Sequence, residues 1–127
     1  MKSKLLISFA LLVGALTVCG PLPAHHGAAA YEDKIVVLKD ATVTKFVWSN
    51  PHSFILFDVT DAKGNVTHWV CENQAPSTLI NFGFNAKTFK PGDMVTVVMA
   101  ATSGNLPVGR ISKIILANGY VMNSEVR

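Results

Sequence analysis

Hydrophobic and polar positions alternate along three successive stretches in the first half of the chain, a pattern typical of half-buried strands. The stretches are "ATVTKFVWS" (41–49), "SFILFDVT" (53–60) and "VTHWVCE" (66–72), and all are rich in β-branched and aromatic residues. The loop "DAKGN" (61–65) joins the last two and contains the glycine and asparagine that suit a tight hairpin. We therefore expect the three strands to form an antiparallel meander.

The pattern changes after residue 72. In "APSTLINFGF" (75–84), Ser77 is a candidate N-cap and Gly83 a stop signal, which together predict a short helix. The following "FKPGD" (89–93) has the proline and glycine of a β-turn. A helix and a turn thus separate the meander from the strands in the second half of the chain.

Two further strands, "MVTVVMAA" (94–101) and "GRISKIILA" (109–117), precede a short last strand at 121–122. Three meandering strands, a short helix and two strands predict an all-β fold with one short helix, a small OB-like barrel of five to six strands. A sandwich of the same strands is the alternative. The small-residue stretch at 27–34 is expected to lie loosely on the barrel.

The N-terminus has the pattern of an export signal. Lys2 and Lys4 precede an uncharged run from Leu5 to Val18, which is short for a membrane span. Cleavage after Ala24 leaves one small domain, residues 25–127, in the periplasm or outside the cell. An uncleaved anchor is the alternative, and no stable membrane span is expected.

A second processing route is a lipid anchor. Leu16 lies three residues before Cys19, as in a lipoprotein signal, but Val18 is a poor residue for the position before the cysteine. Cleavage at Cys19 is therefore the minority alternative.

Charge argues against a nucleic-acid partner. All eight acidic residues and nine of the eleven basic residues follow position 24, so the predicted mature domain is nearly neutral. Cys71 is then the lone cysteine and has no partner for an intramolecular disulfide.

The histidines are the strongest chemical signal. Cleavage after Ala24 makes His25 the N-terminus, and its α-amine and Nδ1 together can chelate one metal ion. Cu(II) suits such nitrogen ligands, and a further imidazole from His26 or His52 completes a three-nitrogen set. The alternatives are an idle, exposed histidine pair and a His52 that only packs its turn.

The third strand sorts its side chains onto two faces. Trp69 and Cys71 share one face and are expected in the core, whereas His68 and Glu72 share the other. Four residues of strand separate His68 from Glu72 by roughly 13 Å, too far for one metal ion. Trp48 and Trp69 offer an alternative site, an aromatic face for a small organic or glycan ligand.

Several enzyme signatures are missing from the sequence. It has no phosphate-binding glycine loop, no GxSxG elbow and no CxxC. Only Glu32 and Glu72 are glutamates near a possible face, so paired-carboxylate hydrolysis lacks evident residues. An enzyme is therefore the less favoured class.

The segments "AHHGAAAY", "FVWSNPHSFILFDVTDAKGNVTHWVCE" and "FKPGDMVTV" resemble a family of small exported bacterial proteins of unknown function. The resemblance covers nearly the whole predicted mature chain. The family's motif positions here are His25 and His26; Trp48, Asn50, Pro51 and His52; Trp69 and Glu72; and Lys90, Pro91, Gly92 and Asp93.

The resemblance implies a periplasmic OB-like barrel with no activity to carry over. It also suggests that the Trp-Asn-Pro-His and Trp-x-x-Glu positions converge at one end, which makes Asn50 a ligand candidate. The chain departs from the pattern at "VMAATSGN" (98–105), where Gly-His-Pro is expected, and at Cys71, where a small or aliphatic residue is expected.

The sequence supports three hypotheses. The first is a non-enzymatic exported protein that holds copper or another transition-metal ion through His25, His26 and His52, with His68 and Glu72 as outside candidates. The second is a metal-free barrel that binds a small ligand along Trp48 and Trp69. The third, the least favoured, is an enzyme that uses copper for oxidation.

Overall fold

The computed structural model describes residues 31–125, with side chains from Lys34 onward. The strands are β1 (Tyr31–Val47), β2 (Phe54–Thr60), β3 (Val66–Glu72), β4 (Met94–Thr102), β5 (Val108–Leu116) and β6 (Val121–Asn123). A short helix, α1 (Pro76–Leu79), continues into a 3-10 turn (Ile80–Phe82).

Five of the strands close into a barrel. β1, β2 and β3 form the predicted antiparallel meander, and β4 pairs antiparallel with both β1 and β5. Three parallel pairs between β3 and β5, from Val70↔Val108 to Glu72↔Arg110, close the ring. The OB-like barrel is confirmed, and β6 adds one strand to the edge of β5.

β1 is longer than its pattern indicated. The strand begins at Tyr31, so the lead-in predicted for residues 27–34 is wrong from Tyr31 onward, and its remainder lies outside the described residues. The first half pairs with β4, and the second half, from Thr42, pairs with β2. A register shift between Leu38 and Ala41, with Asp40 at φ 55°, lets one strand serve both neighbours.

β2 and β3 pair in continuous register from Phe54↔Glu72 to Thr60↔Val66. Alternate side chains of the hairpin point into the barrel, as their pattern predicted. Cys71 is buried in the core, and Trp69 is half-buried against it. The most buried hydrophobic side chains of the barrel and its short helix are Ala41, Val43, Ile55, Phe57, Cys71, Leu79, Val97, Met99, Ile111 and Ile114.

The connection after β3 follows the predicted order, but the helix starts earlier than expected. Ala75 occupies the N-cap position without a side-chain cap, and Pro76 opens the helix, so the prediction of Ser77 as N-cap is wrong. Gly83 ends the 3-10 turn at φ 85°, the stop role its position indicated.

The Lys-Pro-Gly-Asp turn is bound to the barrel wall. Lys90 Nζ and its backbone N–H both donate to the Asp93 carboxylate, which lowers the pKa of that carboxyl. The backbone N–H of Gly92 donates to the Val43 carbonyl at 2.8 Å, and the Val43 N–H donates to the Asp93 carbonyl at 2.8 Å. The turn thus fixes the connection that leads into β4.

Closure of the barrel depends on close backbone approach at Gly109. It pairs with Cys71, and a Cβ atom placed on it would lie 2.5 Å from Met99 Sδ and 3.0 Å from the Ala100 carbonyl oxygen. Met99 is fully buried and has little room to move. Only glycine fits where β3, β4 and β5 meet.

We expect Gly109→Ala to lower the free energy of unfolding by about 1–3 kcal/mol through overpacking. Chemical denaturation of the wild-type protein, Gly109→Ala, Met99→Ala and the double variant measures it. Removing the Met99 thioether relieves the clash, so the double variant should lose less stability than the two single losses combined. Strict additivity would contradict this packing argument.

Candidate functional site

The candidate site is a corner at one end of the barrel, where the turn between β1 and β2 meets the end of β3. The Ser49 hydroxyl donates to the His52 carbonyl at 2.9 Å and tightens this turn. The Asn50–Pro51 peptide bond is cis, and Asn50 is exposed at the tip. The family-like Asn-Pro-His segment is therefore an ordered surface turn.

Backbone pairing continues past the strand ends and joins this turn to β3. The Ser53 N–H donates to the Gln74 carbonyl at 3.1 Å, and the Asn73 N–H donates to the Ser53 carbonyl at 2.8 Å. These bonds continue the β2–β3 pairing past the strand ends, with Ser53 bonded to both Asn73 and Gln74. They bring His52 beside Glu72, as the expected convergence of the two motifs implied.

The His52 ring is oriented by two acceptors on one nitrogen. Its Nδ1 lies 3.0 Å from Glu72 Oε1 and 3.3 Å from the Asn73 carbonyl oxygen. A nitrogen between two acceptors carries the proton in the neutral ring, which leaves the lone pair on Nε2. The His52 side chain is 43% exposed, so a ligand can approach it.

Polar side chains are also buried directly beneath this corner. Ser53 is 0% and Asn73 3% exposed. Asn73 Oδ1 accepts the Gln74 N–H at 2.8 Å, but within residues 34–125 neither Ser53 Oγ nor Asn73 Nδ2 has a hydrogen-bond partner. Each buried polar atom without a hydrogen bond lowers the stability of the fold by about 1–3 kcal/mol. Natural proteins concentrate such departures from full hydrogen bonding at functional sites.

A second histidine–carboxylate pair lies on the outer surface of the β2–β3 hairpin. His68 Nδ1 is 2.6 Å from Asp58 Oδ1, and the His68 side chain is 79% exposed. His68 and Glu72 share the outer face of β3, as their spacing predicted. The roughly 13 Å of strand between them keeps His68 out of the His52 corner.

The two tryptophans belong to different aromatic clusters. Trp48 packs against Phe46 at a centroid distance of 5.8 Å, and Phe46 in turn contacts Phe89 at 5.2 Å. Trp69 stacks on Phe57 at 6.4 Å with the rings 6° from parallel. Each tryptophan therefore has its own surroundings and its own aromatic neighbours.

The predicted metal ligands His25 and His26 lie outside the described residues. Within the part of the chain that the structure describes, no group of three or more histidine, cysteine or acidic side chains is arranged to hold a metal ion. His52 is the described member of the predicted ligand set, and Glu72 is the carboxylate beside it.

Cys71 is enclosed in the core rather than presented at a surface. Its Sγ lies 3.1 Å from Met99 Sδ, and burial raises the pKa of the thiol to about 12. Because the thiolate is the reactive form, this cysteine is protonated and inert at neutral pH.

The sequence analysis missed three polar residues, one beside His68 and two beneath the His52 corner. The position of Asp58 could have been inferred from the predicted hairpin, because pairing Thr60 with Val66 puts position 58 opposite His68. Ser53 and Asn73 gave no such signal. Their burial depends on how far backbone pairing continues beyond β2 and β3.

These features define a small closed barrel of the OB type with a histidine–carboxylate corner at one end. A protein-family model described as a family of unknown function, DUF6152, matches residues 14–107, and the chain belongs to this family. Comparison with curated proteins and with solved structures gives no match. Among the described residues, no helix has the length and apolar character needed to cross a membrane.

The contacts of His52 predict its tautomer. At mildly alkaline pH, long-range ¹H–¹⁵N NMR should show the neutral ring with its proton on Nδ1. Glu72→Ala removes one acceptor and should increase the population protonated on Nε2. The His68–Asp58 pair supplies the control, since the His68 ring should keep its wild-type NMR pattern in Glu72→Ala. A wild-type His52 protonated on Nε2 would contradict the geometry.

The burial of Cys71 predicts a masked thiol. In a chain that begins at His25, Cys71 is the single cysteine, and a chromogenic disulfide reagent at pH 8 should leave it unmodified until denaturant is added. The measurement is the absorbance of the released thiolate with and without denaturant. Fast stoichiometric reaction of the folded protein would show that the thiol is accessible.

Proposed function

We propose that this protein is an exported, non-enzymatic binding module that holds a copper ion through His25, His26 and His52. The observation that carries the proposal is the contact between His52 Nδ1 and the Glu72 carboxylate at 3.0 Å. Metal-binding histidines almost always donate the non-ligating ring N–H to a carboxylate or carbonyl, which fixes the ring and raises its basicity. His52 has this arrangement, with Nε2 left to bind.

The buried polar atoms beneath the corner add support. Ser53 and Asn73 keep polar groups in the barrel end although apolar residues would pack there without an unmet hydrogen bond. An end built only for stability gains nothing from this composition. A corner that must hold the His52 turn and Glu72 in fixed positions accounts for it better.

Chain length also supports a meeting of the N-terminal histidines with His52. Tyr31 pairs with Thr102 at the end of β4, and Arg110 of β5 lies between β4 and Glu72. Three strand spacings and a two-residue offset amount to roughly 16 Å from Tyr31 to Glu72. The six-residue segment back to His25 spans about 20 Å when extended, which is enough to reach the corner.

Copper is the metal that best suits this ligand set. Three imidazoles and a free α-amine are nitrogen ligands, and Cu(II) has the highest affinity among the divalent first-row metals for such sites. Export and cleavage after Ala24 are part of the proposal, because only cleavage there gives His25 its free amine.

The proposal predicts that copper affinity depends on a free His25 amine. Protein cut after Ala24 is titrated with Cu(II) and followed by visible absorption and electron paramagnetic resonance. The comparison is the same protein with one extra alanine before His25. We expect the extension to abolish the high-affinity signal, because it removes the amine from the chelate. Equal binding by both forms would overturn the proposal.

The barrel's contribution is tested with variants of the native-ended protein. His52→Ala removes a proposed ligand, and Glu72→Ala removes the carboxylate that orients this ligand. We expect Glu72→Ala to weaken Cu(II) binding about 10–100-fold. The matched control is His68→Ala, which deletes an equally carboxylate-paired imidazole outside the corner and should leave affinity unchanged. Loss of affinity in His68→Ala but not in His52→Ala would place the metal elsewhere.

A further inference from the structure

A groove opens on the barrel between the first half of β1, β3 and the loop that joins β4 to β5. Its volume is about 260 Å³, and its walls include Lys34, Val36, Trp69, Thr102, Asn105 and Leu106. This is slightly below the range of about 300–1,000 Å³ typical of drug-sized ligands, so it suits a ligand of one ring.

The groove results from the way the strands separate. β1 pairs with β2 only from Thr42 onward, and β3 pairs with β5 only from Val70 onward. The first half of β1 therefore has no pairing with β2, and the first half of β3 has no pairing with β5. Trp69, whose side chain points inward from β3, lies just before the first β3–β5 pair and lines the groove.

Trp69 supplies a firm apolar surface. Its indole lies parallel to the fully buried Phe57 ring, with centroids 6.4 Å apart and planes 6° apart, so a core residue fixes the plane of the indole. The side chain is only half-buried and lines the groove. A flat indole fixed in this way is a suitable platform for a ring with an apolar face.

The rim of the groove is polar. Lys34 and Asn105 are exposed there, and they supply an ammonium donor and an amide that both donates and accepts. The Thr102 hydroxyl donates to the Val108 carbonyl at 3.3 Å, which leaves its oxygen able to accept a hydrogen bond. Asn105 has φ 59°, a left-handed conformation that turns the loop at the rim.

We propose that this groove binds a single sugar ring, with the C–H face of the sugar on Trp69 and its hydroxyls towards Lys34 and Asn105. A sugar has the matching chemistry, one apolar face and an edge of hydroxyls that both donate and accept. A purely aromatic ligand would leave the polar rim unmatched. The groove shares no residue with the His52 corner, so the sugar and copper proposals can be tested separately.

The test uses protein that begins at His25 and carries Trp48→Phe, so that Trp69 is the single tryptophan. The probes are glucose, galactose, mannose, N-acetylglucosamine and glucuronate at millimolar concentration, with indole-3-acetate as the aromatic comparison. Binding is followed by Trp69 fluorescence and by saturation-transfer NMR of the sugars. We expect at least one sugar to change Trp69 emission saturably and to receive magnetisation through its ring C–H protons.

Two variants locate the binding. Trp69→Leu should weaken the sugar that binds at least about tenfold, measured by saturation transfer. Because Trp69→Leu also disturbs packing on Phe57, Asn105→Gly is the second variant. Glycine accepts the same left-handed backbone, so this change removes only the amide and should also weaken binding.

The outcomes that overturn the proposal are distinct. No response from any of the five sugars would remove the sugar site, and response to indole-3-acetate alone would assign the groove to aromatic acids instead. Equal sugar binding by wild type, Trp69→Leu and Asn105→Gly would place the sugar elsewhere on the barrel. Each result is independent of whether copper binds.

Discussion

Closure of the barrel by three parallel pairs between β3 and β5 is the constraint on which the other features depend. Those pairs require a glycine at 109, because Met99 fills the space that a side chain would take. Closure also fixes the end of β3 against β5, through the pair Glu72↔Arg110. The β2–β3 register then places His52 beside Glu72, because Phe54 pairs with Glu72 and backbone bonds continue to Ser53 and Asn73.

β3 distributes two kinds of chemistry to the two sides of one sheet. Its outward positions carry His68, whose ring contacts the Asp58 carboxylate, and Glu72, whose carboxylate contacts the His52 ring. Its inward positions carry Trp69 and Cys71; Trp69 stays half-exposed, and it lies just before the first β3–β5 pair. One seven-residue strand thus contributes to the proposed metal corner and to the proposed sugar groove.

Much of the fold was predictable because the patterns involved are local. The alternation in β2 and β3, the loop between them and Gly83 after the helix each act over a few residues, and each was confirmed. The first half of β1 was missed because its charged residues obscure the alternation and its bend at Asp40 gives no sequence signal. The Ser77 cap was wrong because Pro76 already starts the helix.

The candidate site was predictable only in its parts. Spacing placed His68 and Glu72 on one face, but the contact of His52 with Glu72 joins a turn to a distant strand end. This contact depends on how far backbone pairing continues beyond the ends of β2 and β3, which no local pattern encodes. The buried Ser53 and Asn73 depend on the same long-range pairing and were therefore not foreseen.

The central claim is that copper bound by the N-terminal amine lies at the His52 corner, and paramagnetic broadening tests it most directly. Cu(II) added to ¹⁵N-labelled protein that begins at His25 should broaden the amide signals of His52 and Asn73 first. The β2–β3 hairpin loop at 61–65, about 30 Å away along β2, should stay sharp. Broadening confined to residues 25–30, with His52 and Asn73 unchanged, would contradict the account.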